Sequence, residues 1–189
     1  MIYIINGMSG VGKSTFCTYV RLLAGDRYAT EISTVDMVKE IAKASGYWDG
    51  YTKGSAERDL FWNLKNTFKN YGIERDYGNI PFWDAVKRVD NFMEASNVAP
   101  NETAIFINTR DPEEIEEFVK VLDAKTILIK RAEVENRGEL GEYDRQIFDY
   151  LYDITIINNG TEADLLREAY KFIKFEGIHF DETKICLIP

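Results

Sequence analysis

One histidine and two cysteines among 189 residues leave little for several kinds of chemistry. Cys17 and Cys186 lie at opposite ends of the chain, so no disulfide framework is expected, and two free thiols suit a reducing compartment. Cys17 falls inside an apolar helical stretch and reads as a small buried hydrophobe. The single histidine, His179, reads as packing rather than catalysis. No apolar run approaches the roughly 20 residues that a membrane span requires. The first residues lead straight into a strand, without the basic and apolar regions of a secretory leader. The expectation is a soluble, cytoplasmic protein. Basic residues are also outnumbered, 23 against 32 acidic, for a net charge of −9. That balance argues against sequence-independent binding of DNA or RNA, which neutralises phosphates with a basic surface. Neither an internal repeat nor a low-complexity segment is present.

What the chain does have is concentrated at its start, MIYIINGMSGVGKST. Gly7 to Ser14 fits GxxxxGK[ST], the phosphate-binding loop. Glycines let backbone N–H groups curl around a phosphate chain because no Cβ blocks the approach. Lys13 adds a point charge for the outer phosphates, and the Ser14 hydroxyl suits Mg²⁺. The context agrees with the motif. Ile2 to Ile5 is an apolar, β-branched strand, and Thr15 to Ala24 has helical spacing (Phe16, Val20, Leu23) and ends at Gly25. A helix at that place directs its positive end at the same anion. Gly7, Ser9, Gly10, Val11, Gly12, Lys13, Ser14 and Thr15 are therefore read as nucleotide-binding, with Ser14 as the metal ligand and ATP and Mg²⁺ as cofactors.

Further strands are expected at Tyr28 to Thr34, Thr103 to Asn108, Thr126 to Ile129 and Asp153 to Ile157, with helices between them. Asp111 caps one of these helices, followed by Pro112 and two acids, which are helix chemistry rather than catalysis. Another follows Gly160, where Thr161 and Asp164 form a capping pair. Alternating strands and helices predict an α/β fold in three layers, with a mainly parallel five-stranded sheet. One domain, 1–189, is expected. Residues 46–100 break the rhythm as a helical insertion, 130–146 form a lid-like segment rich in arginine, and 176–189 form a tail. In the tail, Ile178/Phe180 and Ile185/Leu187 suggest a short hairpin or a homodimer contact.

Ligands of parallel sheets bind beyond the carboxyl ends of the strands, which gathers the strand exits around the loop. Arg110 directly follows a strand, where its fork suits either a pair of phosphate oxygens or an ion pair with Asp111 or Glu114. Along Ala56 to Asn70, helical geometry puts Leu60, Phe61, Leu64 and Phe68 on a core stripe. Arg58, Trp62, Lys65 and Lys69 fall on another, either lining a cleft for an anionic substrate or forming a solvated face. Between two strands, Lys130, Arg131, Arg137 and Arg145 accompany Gly138 and Gly141. This segment is either a closing lid or a charged surface loop. No N-K-x-D element for guanine follows a late strand.

Four segments in order, GMSGVGKS, STVDMVKEIA with the following WDG and Arg58 to Lys65, IFINTRDPEE, and DITIINNGT, resemble the P-loop nucleoside and deoxynucleoside monophosphate kinases. A broader similarity extends to animal-type phosphomevalonate kinase. The resemblance implies a P-loop kinase fold with a helical acceptor-binding insertion. It implies Mg-ATP-dependent transfer to a small phosphorylated acceptor, most readily a (deoxy)nucleoside monophosphate. Kinases for another phosphorylated metabolite, and a regulatory module without turnover, stand as alternatives. By the same resemblance, Ser33, Asp36 and Lys39 belong to the acceptor side and Arg58 and Arg110 to phosphate binding. Arg131 and Arg137 belong to the lid, and Asn159, Gly160 and Thr161 lie near adenine. Lys13, Arg110, Arg131 and Asp36 would then act in catalysis, Asp36 as the base if the acceptor is a hydroxyl. The family often has Asp where this chain has Asn108, and an amide is a poorer partner for a Mg²⁺ site than a carboxylate.

Overall fold

A computed structural model describes residues 1–52, 54–135, 147–148 and 150–188. Among them, strands β1 (Ile2–Asn6), β2 (Ala29–Ser33), β3 (Ala104–Asn108), β4 (Lys125–Lys130) and β5 (Ile154–Ile157) form one sheet in the order β2-β3-β1-β4-β5. The pairs β1·β3, β1·β4 and β4·β5 are parallel. Helices α1 (Lys13–Ala24), α2 (Asp36–Ala44), α3 (Ser55–Glu74), α4 (Ile80–Ser96), α5 (Pro112–Leu122), the short α6 (Ala132–Glu135) and α7 (Glu162–Glu176) connect them. The chain divides into two compact units, one made of Met1–Glu31 and Phe92–Pro189, the other of Ile32–Asn91.

Side chains of the first unit explain its layers. Tyr3, Ile4 and Ile5 are wholly buried, as a central parallel strand covered on both faces should be. Successive residues point to opposite faces. Tyr3 and Ile5, Ala104 and Phe106, and Ile127 and Ile129 enter one cluster with Phe16 and Val20 of α1 and Ala169, Phe172 and Ile173 of α7. Four rings form its centre: Tyr3 lies 5.6 Å from Phe106 and 5.1 Å from Phe172, and Phe16 lies 6.0 and 5.4 Å from the same two. The alternate residues Ile4, Ile105 and Ile107 are equally buried. On that side α5 lies against β1 and β4, presenting Ile115 and Phe118. Helices thus cover both faces of a parallel sheet, the expected three-layer α/β fold.

Local chemistry sets the helix ends. Asp111 accepts from the Glu113 N–H at the start of α5, with Pro112 next. Thr161 and Asp164 form a reciprocal capping box on α7, which ends at Gly177 in the left-handed region. The tail departs from expectation. Instead of a hairpin, Ile178 and Phe180 are both buried in the core, and Asp181 then caps a 3-10 helix, Glu182–Leu187. His179, between them, stacks on Tyr28 with ring centroids 3.7 Å apart.

The second unit has a small cluster of its own. Val38 and Ala42 of α2 and Phe61 of α3 form it, with Trp48, Leu64 and Phe68 packed alongside. Arg88 of α4 places its fork on both oxygens of Glu40, at 2.8 and 2.7 Å, and its Nε on Asp84 at 2.7 Å. The two carboxylates hold the guanidinium charged, and Glu40 is lowered in return. The stripes expected on α3 need correction. Leu60 is exposed, whereas Lys65 is buried, its ammonium 5.9 Å from the Trp62 ring. The α2 cluster covers a narrow face centred on Phe61, and one turn on, the Lys65 methylenes lie inside.

Candidate active site

The strand registers carry the site's geometry. Ile5 is opposite Asn108 on β3 and Asn6 is opposite Leu128 on β4, so the carboxyl ends of three strands share one edge of the sheet. At that edge β1 gives way to the glycine loop. Asn6 initiates the turn: its Oδ1 accepts from the Gly7 N–H at 2.8 Å, while its Nδ2 donates to the Tyr152 hydroxyl at 3.0 Å. Burial pushes the Tyr152 phenol up to about 12. Met8 and Val11 anchor the loop by burying their side chains in the core cluster, whereas Ser9 and Gly10 are exposed. Asn158, beyond β5, steadies the loop's far side by donating to the Val11 carbonyl at 2.8 Å.

Two glycines are required for different reasons. Gly7 has φ +140°, and a Cβ there would stand 2.5 Å from the Ile129 carbonyl oxygen, an immovable part of β4. Gly10 has φ +85° but meets nothing within 4 Å, so the concave side of the loop is open. Alanine should therefore cost more at Gly7 than at Gly10. We expect roughly 2–3 kcal/mol at Gly7, from strain and backbone overlap together. At Gly10 the conformational penalty alone gives roughly 1 kcal/mol. Denaturant unfolding of the two variants without nucleotide checks this, and the reverse order would contradict the geometry.

The loop's charged groups are engaged with its own structure. Lys13 donates from Nζ to the Gly7 and Met8 carbonyls at 2.5 and 2.9 Å. Ser14 donates from Oγ to Glu31 Oε1 at 3.0 Å, and Asn108 Nδ2 donates to the same oxygen at 2.5 Å. Glu31 is a residue that sequence reasoning missed. Its one signal was a carboxylate within a β strand, Ala29-Thr30-Glu31-Ile32-Ser33, where glutamate is disfavoured. Cys17, one turn into α1, is inert, because burial and then the neighbouring Glu31 charge push its thiol up.

Other expected residues fall in several places. Ser14 and Thr15 are exposed at the start of α1, and Arg110 is exposed at the exit of β3. Beside Arg110, the Thr109 hydroxyl donates to the buried Glu114 carboxylate at 2.6 Å. Arg131 follows β4 and lies 3.3 Å from Glu133. Asn159 accepts from the Ala132 N–H at 2.7 Å, and Gly160 and Thr161 lead into the capping box of α7. All of these belong to the first unit. In the second unit, Ser33, Asp36 and Lys39 come together. Asp36 accepts from the Ser33 N–H at 2.6 Å and from the Lys39 ammonium at 2.8 Å. Arg58 is exposed on α3 and Lys65 is buried there. Arg137 and most of the lid-like segment 130–146, with Arg145, lie outside the described residues.

An open loop of positive-φ glycines, at the N-terminus of a twelve-residue helix with Lys13 at its start, fits a polyphosphate. Mg²⁺ takes oxygen ligands, typically one or two protein groups plus substrate phosphates. The Ser14 hydroxyl and Glu31 carboxylate are such a donor set. No cluster of three or more His, Cys, Asp or Glu side chains suited to a metal exists among the described residues. No helix among them is long and apolar enough to cross a membrane.

Neither a family model nor a curated protein sequence matches the chain. Solved structures do. A shikimate kinase from Aquifex aeolicus is 13% identical, with 94% of this chain and 98% of that one covered and a TM-score of 0.44. A sugar kinase from Janibacter sp. is 12% identical, with 95% and 98% covered and a TM-score of 0.46. Thymidylate kinase from Candida albicans is 13% identical, with 93% and 92% covered and a TM-score of 0.39. Likeness at this level says nothing of the substrate.

Proposed function

We propose that the chain is a Mg-ATP-dependent phosphotransferase of the P-loop kinase kind, acting on a small phosphorylated acceptor, most readily a (deoxy)nucleoside monophosphate. The observation that carries the reading is the loop itself: an open glycine cradle with Lys13 and Ser14 at the head of α1. ATP would lie with its phosphates in the loop, and Asn159, Gly160 and Thr161 would lie near the adenine. Ser14 would ligate Mg²⁺, which when bound neutralises phosphate charge and orients the transferring group. Lys13 would leave the Gly7 and Met8 carbonyls for the outer phosphates. Arg110 and Arg131 would add charge as the phosphoryl group moves. The acceptor side is assigned on sequence order to Ser33, Asp36, Lys39, Arg58 and Lys65, with Arg137 as a lid residue.

An acceptor that is itself a phosphate is anionic at neutral pH and needs no base. Asp36 would serve as one only for a hydroxyl acceptor, and Lys39 would then have to release it. The proposal includes a cytoplasmic setting, which the free Cys17 and Cys186 suit. It also includes a homodimer formed through the tail.

ADP release over a panel of nucleoside monophosphates, other phosphate esters and alcohols tests the reading. A (deoxy)nucleoside monophosphate should give the highest rate. A phosphomevalonate-type ester as the best acceptor would move the enzyme to the alternative kinase class. ATP binding without turnover on any acceptor would make the chain a nucleotide-binding module. Within the kinase reading, Arg110→Ala should lower turnover about a hundredfold, the scale for losing one transition-state donor. Unchanged kinetics would remove Arg110 from the site.

A further inference from the structure

The glutamate that meets Ser14 and Asn108 has been described only as an oxygen donor beside the loop, without a role of its own. The kinases that this sequence resembles often have an acid at the exit of β3. Here that position is Asn108, and its amide is turned to donate to Glu31 on the adjacent strand. Glu31 Oε1 simultaneously accepts from the hydroxyl of Ser14, the loop side chain read as the Mg²⁺ ligand. Two donors on one carboxylate oxygen fix its direction. Among the described residues, Oε2 is left as an acceptor for a metal-bound water.

We propose that Glu31 is the metal-positioning carboxylate of this chain and that Asn108 holds it in place, so that the negative charge has moved from β3 to β2. This rests on the nucleotide-binding reading of the loop and on no particular acceptor. Three features support it. The charge is needed once, and an acid at both positions would place two carboxylates together beside Ser14. An amide can donate where an aspartate cannot, so Asn108 is the residue type that a carboxylate on β2 requires. Moreover, Mg²⁺ sites favour one or two carboxylates beside the phosphates, and outer partners of a metal matter nearly as much as its ligands.

Glu31→Gln separates charge from shape, because the glutamine oxygen can still accept from Ser14 and Asn108. The test is Mg²⁺ titration at fixed ATP, with nucleotide uptake followed by calorimetry and circular dichroism confirming the fold. No acceptor is needed, and the readout is binding rather than turnover. The Mg²⁺ concentration at half-maximal uptake should rise roughly ten- to a hundredfold in Glu31→Gln. ATP binding in EDTA should stay within twofold of that of the native chain. Adding Asn108→Asp to Glu31→Gln returns the charge to β3 and should bring the midpoint back toward the native value.

A native midpoint in Glu31→Gln, with ATP binding intact, overturns the role of Glu31 and leaves the phosphotransferase reading standing. Failure of the native chain to take up ATP with Mg²⁺ overturns both. If Glu31→Gln is not recovered folded, Asn108→Asp alone decides the matter. Aspartate cannot donate to Glu31, so the midpoint should change at least severalfold, and an unchanged midpoint overturns the pairing.

Discussion

Phe106→Ala is expected to lower the free energy of unfolding by about 3–5 kcal/mol, the range for emptying a phenylalanine site in a core. The ring is wholly buried on β3 and touches Tyr3, Phe16 and Phe172, one from β1 and one from each covering helix. Those partners belong to three different elements fixed by the sheet, so the space cannot close by moving one side chain. A domain of this kind has only about 5–15 kcal/mol in total, so the variant should be close to the limit of cooperative folding. Urea unfolding gives the measurement: the midpoint should fall while the denaturant slope stays near that of the native chain. A loss below about 1 kcal/mol would mean that the four rings are not the centre of the core.

Within the proposed phosphotransferase reading, Lys13→Ala should have the largest effect on turnover, a fall of roughly a hundred- to a thousandfold. The ammonium is held at the mouth of the loop by the Gly7 and Met8 carbonyls. Phosphate oxygens would take over this partnership when nucleotide binds. Loss of the side chain removes both the charge for the outer phosphates and the tie that shapes the empty loop. Lys13→Arg should not rescue activity. A planar fork has a different reach and geometry from a compact ammonium that meets two carbonyls of neighbouring residues. Stability should change little in either variant, because the loop's anchors are Met8, Val11 and Asn158 rather than the lysine. Steady-state rates alongside urea unfolding distinguish a chemical loss from a folding loss. Retention of more than a tenth of native turnover in Lys13→Ala would exclude the lysine from phosphoryl transfer.

Much of this protein is legible residue by residue. The glycine loop, the cap at Asp111, the capping box at Thr161 and Asp164, and the apolar strands follow from short-range rules. A turn needs its φ, a helix end needs an acceptor, and a doubly covered strand needs apolar residues on both faces. Those rules act within a few residues, so the sequence by itself determined the strands, their succession along the chain and the class of sheet. The motif that fits a phosphate chain is equally local, since it lies between Gly7 and Ser14.

Tertiary structure decided what distant segments do to one another. Ser14, Glu31 and Asn108 converge only because β2 lies beside β3 and β3 beside β1, an order that no local period encodes. The burial of Lys65 and the exposure of Leu60 were decided by which face of α3 the α2 cluster covers, and helical spacing describes both faces equally well. In the tail, Ile178 and Phe180 read as part of a short hairpin or a dimer contact, whereas the structure buries both in the core with residues of α1 and α7. Periodicity says which side chains share a face. Only the packing of the other elements says what that face meets, and for this chain it is what sets a glutamate beside the loop's serine.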